Sequence, residues 1–407
     1  MKDRAQNAIA ECLRLAAFTE EPGRITRRFL TPPMQGVHGR LRERMKELGM
    51  SVTVDAAGNM RGVWQPEGAS KKRLVIGSHV DTVPDAGAYD GVLGVCLGLE
   101  LVQIAAERKI TITIEVIAFS EEEGVRFSVP FIGSRAVAGR FDGALLSLID
   151  AEGVTLEDAI RDYGLDPAKI AEAELDEGAV AVLEIHIEQG PVLESEKLSI
   201  AAVTDIAGQT RMSLLFRGHA NHAGTTPMHL RHDALAGAAE WIAVVERLAR
   251  ETDGLIATVG KIEVDPNAGN VVPGVAAVSL DLRHSSDSRR AAALEMLLTR
   301  ANEIARRRNL RFESKRLMDQ AAVPMDERLT TFLVEAMEAN NLPPRRMPSG
   351  AGHDAMVMAA RVPTAMLFLR SPGGVSHHPD EAVREEDVEN VLRVASTFIE
   401  RIAADLK

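Results

Sequence analysis

Two apolar strand patterns in this chain run directly into polar residues, and a glycine-studded apolar helix pattern lies between them. RLVIGSHVDTV (73–83) is a buried strand pattern that ends in His79, Asp81 and Thr82. GVLGVCLGLELVQIAAER (91–108) has the length and composition of a helix, and TITIEVIAFSEEEG (111–124) is a second β-branched run ending in three acids. Strand, helix and strand at these lengths specify an α/β unit. Open α/β sheets bind ligands just past their strand ends, where these polar residues fall.

The pattern extends along most of the chain. Helices are expected over 4–17 and 34–48, a strand pair over 51–64, a helical region over 133–162, and a strand at AVLEIHIEQG (181–190). From 208 to 322 the order becomes strand (210–218), helix (231–251), two strands (255–264, 275–284), helix (287–308) and strand (310–318). That is the β-α-β-β-α-β order of a ferredoxin-like unit. After it come a helix at 327–340, a turn-rich stretch at 341–355, a strand at 363–370 and a closing helix at 387–403. The expected architecture is an α/β domain with a mixed central sheet (1–207 and 323–407), interrupted by an inserted ferredoxin-like α+β domain (208–322). Insertion at an exposed loop is tolerated in domain evolution.

Composition narrows the function. Against 47 Lys and Arg stand 59 Asp and Glu, a formal charge of −12 with no basic tract, which argues against nucleic acid. Aromatics are 4%, too few for a base-stacking platform. No 18-residue apolar stretch suggests a membrane span, and the amphipathic N-terminus lacks a signal-peptide pattern. Cys12 and Cys96 show no ligand spacing, so a reducing, cytoplasmic setting is expected. GxGxxG after the first strand, GxxxxGK[ST], GxSxG and HExxH are all absent.

Four short segments carry most of the chemistry. GSHVDTVPDAGAYDG (77–91) offers His79, Asp81 and Asp90; SEEEG (120–124) offers Glu121, Glu122 and Glu123; EIHIEQG (184–190) offers His186 and Gln189; GGVSHHPDEA (373–382) offers His377 and His378. Each alone has a plainer reading: a turn, a solvated acidic loop, a satisfied core histidine. Together they place histidines and carboxylates at the exits of strands in one domain, a donor set that suits Zn²⁺ or a similar ion. The donors outnumber the needs of one tetrahedral site with an open position, and two ions sharing a carboxylate would use them. A water between such ions would be acidified and aimed at a carbonyl, with a neighbouring free glutamate to carry the proton.

The inserted segment has a polar set of its own. His222 in GHANHAGTTPM (218–228) and Asn270 in DPNAGNVVPG (265–274) could donate to an oxyanion, and Arg283 could grip a carboxylate. Their alternatives are a turn residue, a hairpin turn and a surface ion pair. GAGHDA (350–355) is a tight turn in which His353 or Asp354 could back the site or cap a helix.

These motifs, in this order from 77 to 382, resemble the zinc-dependent amidases of the M20 metallopeptidase superfamily, specifically the hydantoinase/carbamoylase branch. That branch contains N-carbamoyl-L-amino-acid hydrolases, allantoate amidohydrolases and β-ureidopropionases. The resemblance implies a metallopeptidase-like catalytic domain and an inserted dimerisation and lid domain. It implies two divalent ions per subunit (Zn, or Mn, Co or Ni), with His79 and His186 on one, Glu123 and His377 on the other, and Asp90 bridging. Glu122 would be the general base and Asp81 would orient His79, while His378 falls at a variable position. Gln189, His222, Asn270, Arg283, Gly352 and His353 would meet the substrate, and His222 would serve a partner subunit in a homodimer. The implied reaction is metal-dependent cleavage of a ureido or carbamoyl C–N bond in a small carboxylate-bearing substrate. The expected substrate is an N-carbamoyl-L-amino acid; allantoate, an aminoacylase or dipeptidase activity, and a non-catalytic binding protein are the alternatives.

Overall fold

The computed structural model describes residues 1–406 and divides the chain into two compact units. One joins Met1–Thr204 to the segment from Pro324 onward; the other is Asp205–Val323, against the expected 208–322.

The discontinuous unit is built on a mixed sheet. Its strands lie in the order Ser51–Val54, Met60–Trp64, Thr113–Phe119, Arg73–His79, Ala179–Ile187, Thr364–Leu369 and Ile200–Ile206, with Arg346–Ser349 also on the last. The four central strands, Thr113–Phe119 through Thr364–Leu369, are mutually parallel, so their carboxyl ends share one edge. All seven residues of Thr113–Phe119 are buried, as expected for a strand covered on both faces. Helices Lys2–Ala16, Val92–Glu107 and Glu385–Asp405 supply apolar residues to one continuous core, with Leu97, Leu101, Val391 and Phe398 almost wholly inaccessible. A smaller cluster around Val75, Phe119, Val182 and Met358 forms a second apolar layer.

In the inserted unit, Val275–His284 lies between Ile262–Asp265 and Gly208–Arg217, and the latter also pairs with Arg311–Gln320. Val275–His284 alternates half-buried and buried residues along its whole length, the pattern of a sheet packed on one face. Helices Ala234–Glu251 and Asp287–Arg307 cover that face around Trp241, Phe216 and Leu297, and the Trp241 indole N–H donates to the Leu297 carbonyl at 2.9 Å.

Local differences from expectation have local causes. The helical region at 133–162 is two helices, Ile132–Val137 and Leu156–Asp162, with a 3₁₀ turn Gly143–Ser147 between them. Gly139 at φ +68° ends the first helix, and the Asp142 side chain caps the turn. The strand expected over 255–264 is two, Ile256–Thr258 and Ile262–Asp265, parted at Gly260. The turn-rich stretch 341–355 contains the strand Arg346–Ser349, hidden in the sequence by its prolines and arginines. Among the described residues no helix is long and apolar enough to cross a membrane.

Candidate metal centre

The parallel strands deliver the site. Arg73–His79 ends in His79, Thr113–Phe119 leads into Glu121–Glu123, Ala179–Ile187 carries His186, and the segment after Thr364–Leu369 carries His377. Asp90 stands before the helix Val92–Glu107. It is followed by Gly91 at φ +66°, where an added Cβ would lie 2.3 Å from the His79 ring. Only glycine fits there without moving that ring. Glu121, Gln189 and His377 also adopt positive φ, a conformation uncommon outside glycine and one that gathers at functional sites.

The donor atoms form two groups that share Asp90. His79 Nε2 lies 3.3 Å from His186 Nε2, which lies 3.3 Å from Asp90 Oδ1. The second Asp90 oxygen is 3.1 Å from His377 Nε2, and that nitrogen is 3.4 Å from Glu123 Oε1. Donors bound at ordinary Zn–N and Zn–O lengths in a tetrahedral shell stand about 3.3–3.5 Å apart, close to these separations. His79 donates its Nδ1 proton to the Asp81 carbonyl at 3.0 Å, and His186 donates its own to the Ile187 carbonyl at 2.9 Å. The two Nε2 atoms therefore face each other as lone pairs and need a cation between them, a proton or a metal ion.

The electrostatics make the same demand. Burial would push His79 down, but the carboxylates of Asp81, Asp90 and Glu123 outweigh it and raise the ring to about 9. Hydrogen bonds to Asp90 and Glu123 raise His377 to about 10. Burial works against ionised Asp90, yet His377, His186 and His79 hold it well below the usual carboxylate range. Burial, with the neighbouring Glu123, Asp354, Asp81 and Glu184, drives the Glu122 carboxyl well upward. So many buried acids facing three imidazoles fit a divalent ion.

Asp81 meets both His79 and the loop of the glutamates. Its main-chain oxygen is the near partner of His79, while its carboxylate lies 3.8 Å from His79 Nδ1. That carboxylate accepts the peptide N–H groups of Glu122 and Glu123, both at 3.1 Å. One side chain thus fixes the loop bearing both glutamates. The amide of Gln189 donates to the Asp90 oxygens at 3.0 and 3.1 Å. His353 is 1% exposed, packs its ring 4.4 Å from that of His186 and meets Ser349 Oγ at 3.0 Å. It stands behind His186 rather than on an open surface, and Gly352 before it lies against Phe131. His378 turns aside, its Nδ1 accepting the Asp380 N–H. Glu184 is a neighbour that sequence reasoning passed over: buried two residues before His186, it accepts from Ser78 Oγ at 3.2 Å and from the Ala355 N–H at 2.6 Å. An acid inside an otherwise apolar strand was its signal.

The inserted unit holds the other candidates. His222 and Asn270 are brought together by a two-stranded ribbon, Asn221–His222 against Val271–Val272. His222 Nδ1 accepts N–H groups from Gly224 at 3.0 Å and Thr225 at 3.2 Å, so the neutral ring keeps its proton on Nε2 as an outward donor. Arg283 sets its fork on Asp281, at 2.9 and 3.1 Å. Asp281 also takes Gln209 and Arg211, and this fixes the guanidinium in place.

Comparison with known proteins agrees with this geometry. Residues 75–401 match the model of the peptidase family M20/M25/M40. The N-carbamoyl-L-amino acid amidohydrolase of Geobacillus stearothermophilus is 39% identical over 90% of each chain. The allantoate deiminase of Arabidopsis thaliana is 36% identical over 94% of this chain and 79% of its own. A crystal structure of a hydantoinase/carbamoylase family amidase from Burkholderia multivorans superposes with a TM-score of 0.92 at 32% identity, over 98% of each chain. With clustered metal donors and these relatives, the protein is a metal-dependent hydrolase of carbon–nitrogen bonds with an activity of the carbamoylase/amidohydrolase type. The chain belongs to the M20/M25/M40 family, and within it to the hydantoinase/carbamoylase amidases.

Proposed function

We propose that this enzyme hydrolyses N-carbamoyl-L-amino acids, using two divalent ions held by His79, His186, Asp90, Glu123 and His377. The observation that carries the reading is the division of the Asp90 carboxylate, one oxygen toward His186 and the other toward His377 and its partner Glu123. Such an ion pair supplies polarisation of the scissile carbonyl and acidification of the attacking water. Glu122 takes the proton of that water and returns it to the departing nitrogen, and Asp81 holds its loop in place. His222 and Asn270 donate to the oxyanion, Arg283 pairs with the substrate carboxylate, and Gln189 lies beside the reacting centre. Gly352 and His353 form the wall behind it. For a carbamoyl substrate the products are the amino acid, ammonia and carbon dioxide.

A homodimer formed through the inserted unit, in which His222 serves the partner's centre, completes the proposal. The cytoplasm suits a chain whose two cysteines are buried and unpaired.

Allantoate is the second reading, favoured by plant allantoate deiminases 34–36% identical over 94–97% of this chain. Both substrates present a ureido group and a carboxylate. The test is a panel of N-carbamoyl-L-amino acids, allantoate, N-acyl amino acids and dipeptides at fixed Mn²⁺ or Zn²⁺. Highest kcat/KM on the carbamoyl compounds supports the proposal; highest on allantoate replaces it with the second reading, and highest on a dipeptide or N-acyl amino acid overturns both.

A further inference from the structure

Glu381 lies four residues beyond His377 and is 6% exposed. One of its oxygens, Oε1, accepts the peptide N–H of Tyr89 at 2.9 Å and that of Asp90 at 3.0 Å, in a segment 291 residues earlier for the latter. Its own N–H donates to the His378 carbonyl at 3.0 Å, which closes the turn that directly follows His377. Across from it is Gly87, where an added Cβ would stand 2.4 Å from both Cβ and Oε1 of Glu381. The Asp90 loop is therefore shaped to admit this carboxyl and has no room for a side chain in its path. Burying a carboxyl is costly unless its bonds do something. These bonds join the peptide of Asp90 to the loop of His377, and Ser376 Oγ adds a contact to Asp90 Oδ2 at 3.3 Å.

We infer that Glu381 is a positioning residue that fastens the Asp90 loop to the His377 loop and so sets the spacing of the ion-binding carboxylate and imidazole. This rests on the reading of Asp90 as the shared ligand. Glu381 stands outside the clustered donor groups and acts through the backbone of Asp90. Partners that orient metal ligands typically cost 10–100-fold in metal affinity or activity when lost.

The test is a chelator titration of the metal-loaded full-length protein, read as bound metal, alongside kcat and KM on an N-carbamoyl amino acid. Glu381→Ala is expected to release half its metal at about 10–100-fold lower chelator concentration, with kcat reduced and KM little changed. Glu381→Gln, whose amide oxygen can still accept both N–H groups, is expected to recover retention to within about threefold of wild type. Glu381→Asp, which withdraws the acceptor by one methylene, should behave like the alanine variant. It decides the matter if the alanine variant does not fold, since wild-type retention in folded Glu381→Asp overturns the inference. So does wild-type retention in folded Glu381→Ala, or a Glu381→Gln variant as defective as alanine. Asp90→Ala separates the two readings. If it keeps metal like wild type, the shared-ligand reading fails; if it loses metal while Glu381→Ala does not, only the Glu381 inference fails.

Discussion

The discontinuous unit and the inserted unit place their candidate residues in opposite environments. His79, Asp90, Glu122 and His186 are each at most 7% exposed and come from separate segments, and His79, His186 and Asp90 face one another across the sheet edge. His222 and Asn270 are exposed on a short ribbon, and Arg283 is half-buried, held by an acid two residues away on its own strand. The first arrangement is one in which charge interacts strongly because water is excluded. The second keeps donors hydrated and cheap to present, as suits groups that recognise a small molecule. The two sets of candidates thus differ in burial as well as in sequence position.

This contrast can be broken at its strongest point first. Asp90→Ala should abolish metal retention and turnover together, measured by elemental analysis and product release; near-normal metal content would remove the basis of the buried centre. Glu122→Gln should keep its metal and lose about 10²–10⁴-fold in kcat, the usual worth of a positioned acid–base group. A rate near wild type would make another group the base. His222→Ala should lower kcat by about 10²–10³-fold, the cost of a missing oxyanion donor, without changing metal content. Mixing unfolded-and-refolded Glu122→Gln and His222→Ala subunits should restore about a quarter of wild-type activity if His222 acts across a symmetric dimer, and none if it acts within its own chain. Arg283→Ala should raise KM for carboxylate substrates with little effect on kcat; unchanged KM would free Arg283 of its assigned role.

A smaller effect isolates the scaffold from the metal. His38 lies buried in the helix Pro32–Glu47, its Nδ1 paired with the Tyr163 hydroxyl at 2.9 Å. Burial, aided by Arg42, lowers its pKa to about 4. Between pH 6.5 and about 4 the folded state holds fewer protons on this ring than the unfolded chain, so stability falls as the pH falls through that window. The full loss is about 3 kcal/mol at most, read as a lower urea midpoint of the metal-free protein. His38→Gln should flatten that dependence.

Much of the buried centre was legible because its residues break local rules. Histidine inside a β-branched strand, three acids at the end of an apolar one, and paired histidines in a Gly/Pro loop are each expensive without a shared reason. The α/β alternation and the β-α-β-β-α-β insertion were legible for the ordinary cause, hydrophobic period and length. What escaped depends on long-range pairing. Ile200–Ile206 and Arg346–Ser349 find each other across the insertion, and the second has too little strand character to announce itself. That His353 sits behind His186, and that the Asp81 carboxylate grips the Glu122–Glu123 peptides, follow from packing, which no spacing along the chain encodes.

The interruption of one unit by another also has a consequence for biosynthesis. His79, Asp90, Glu123 and His186 emerge from the ribosome before the insertion, while His377 and the strand Thr364–Leu369 follow it. A nascent chain halted inside the insertion owns most of the ligands but lacks the neighbour that pairs with Ala179–Ile187. The full set of clustered donors therefore exists only once the segment beyond the insertion has been made, so the centre closes last in the order of synthesis.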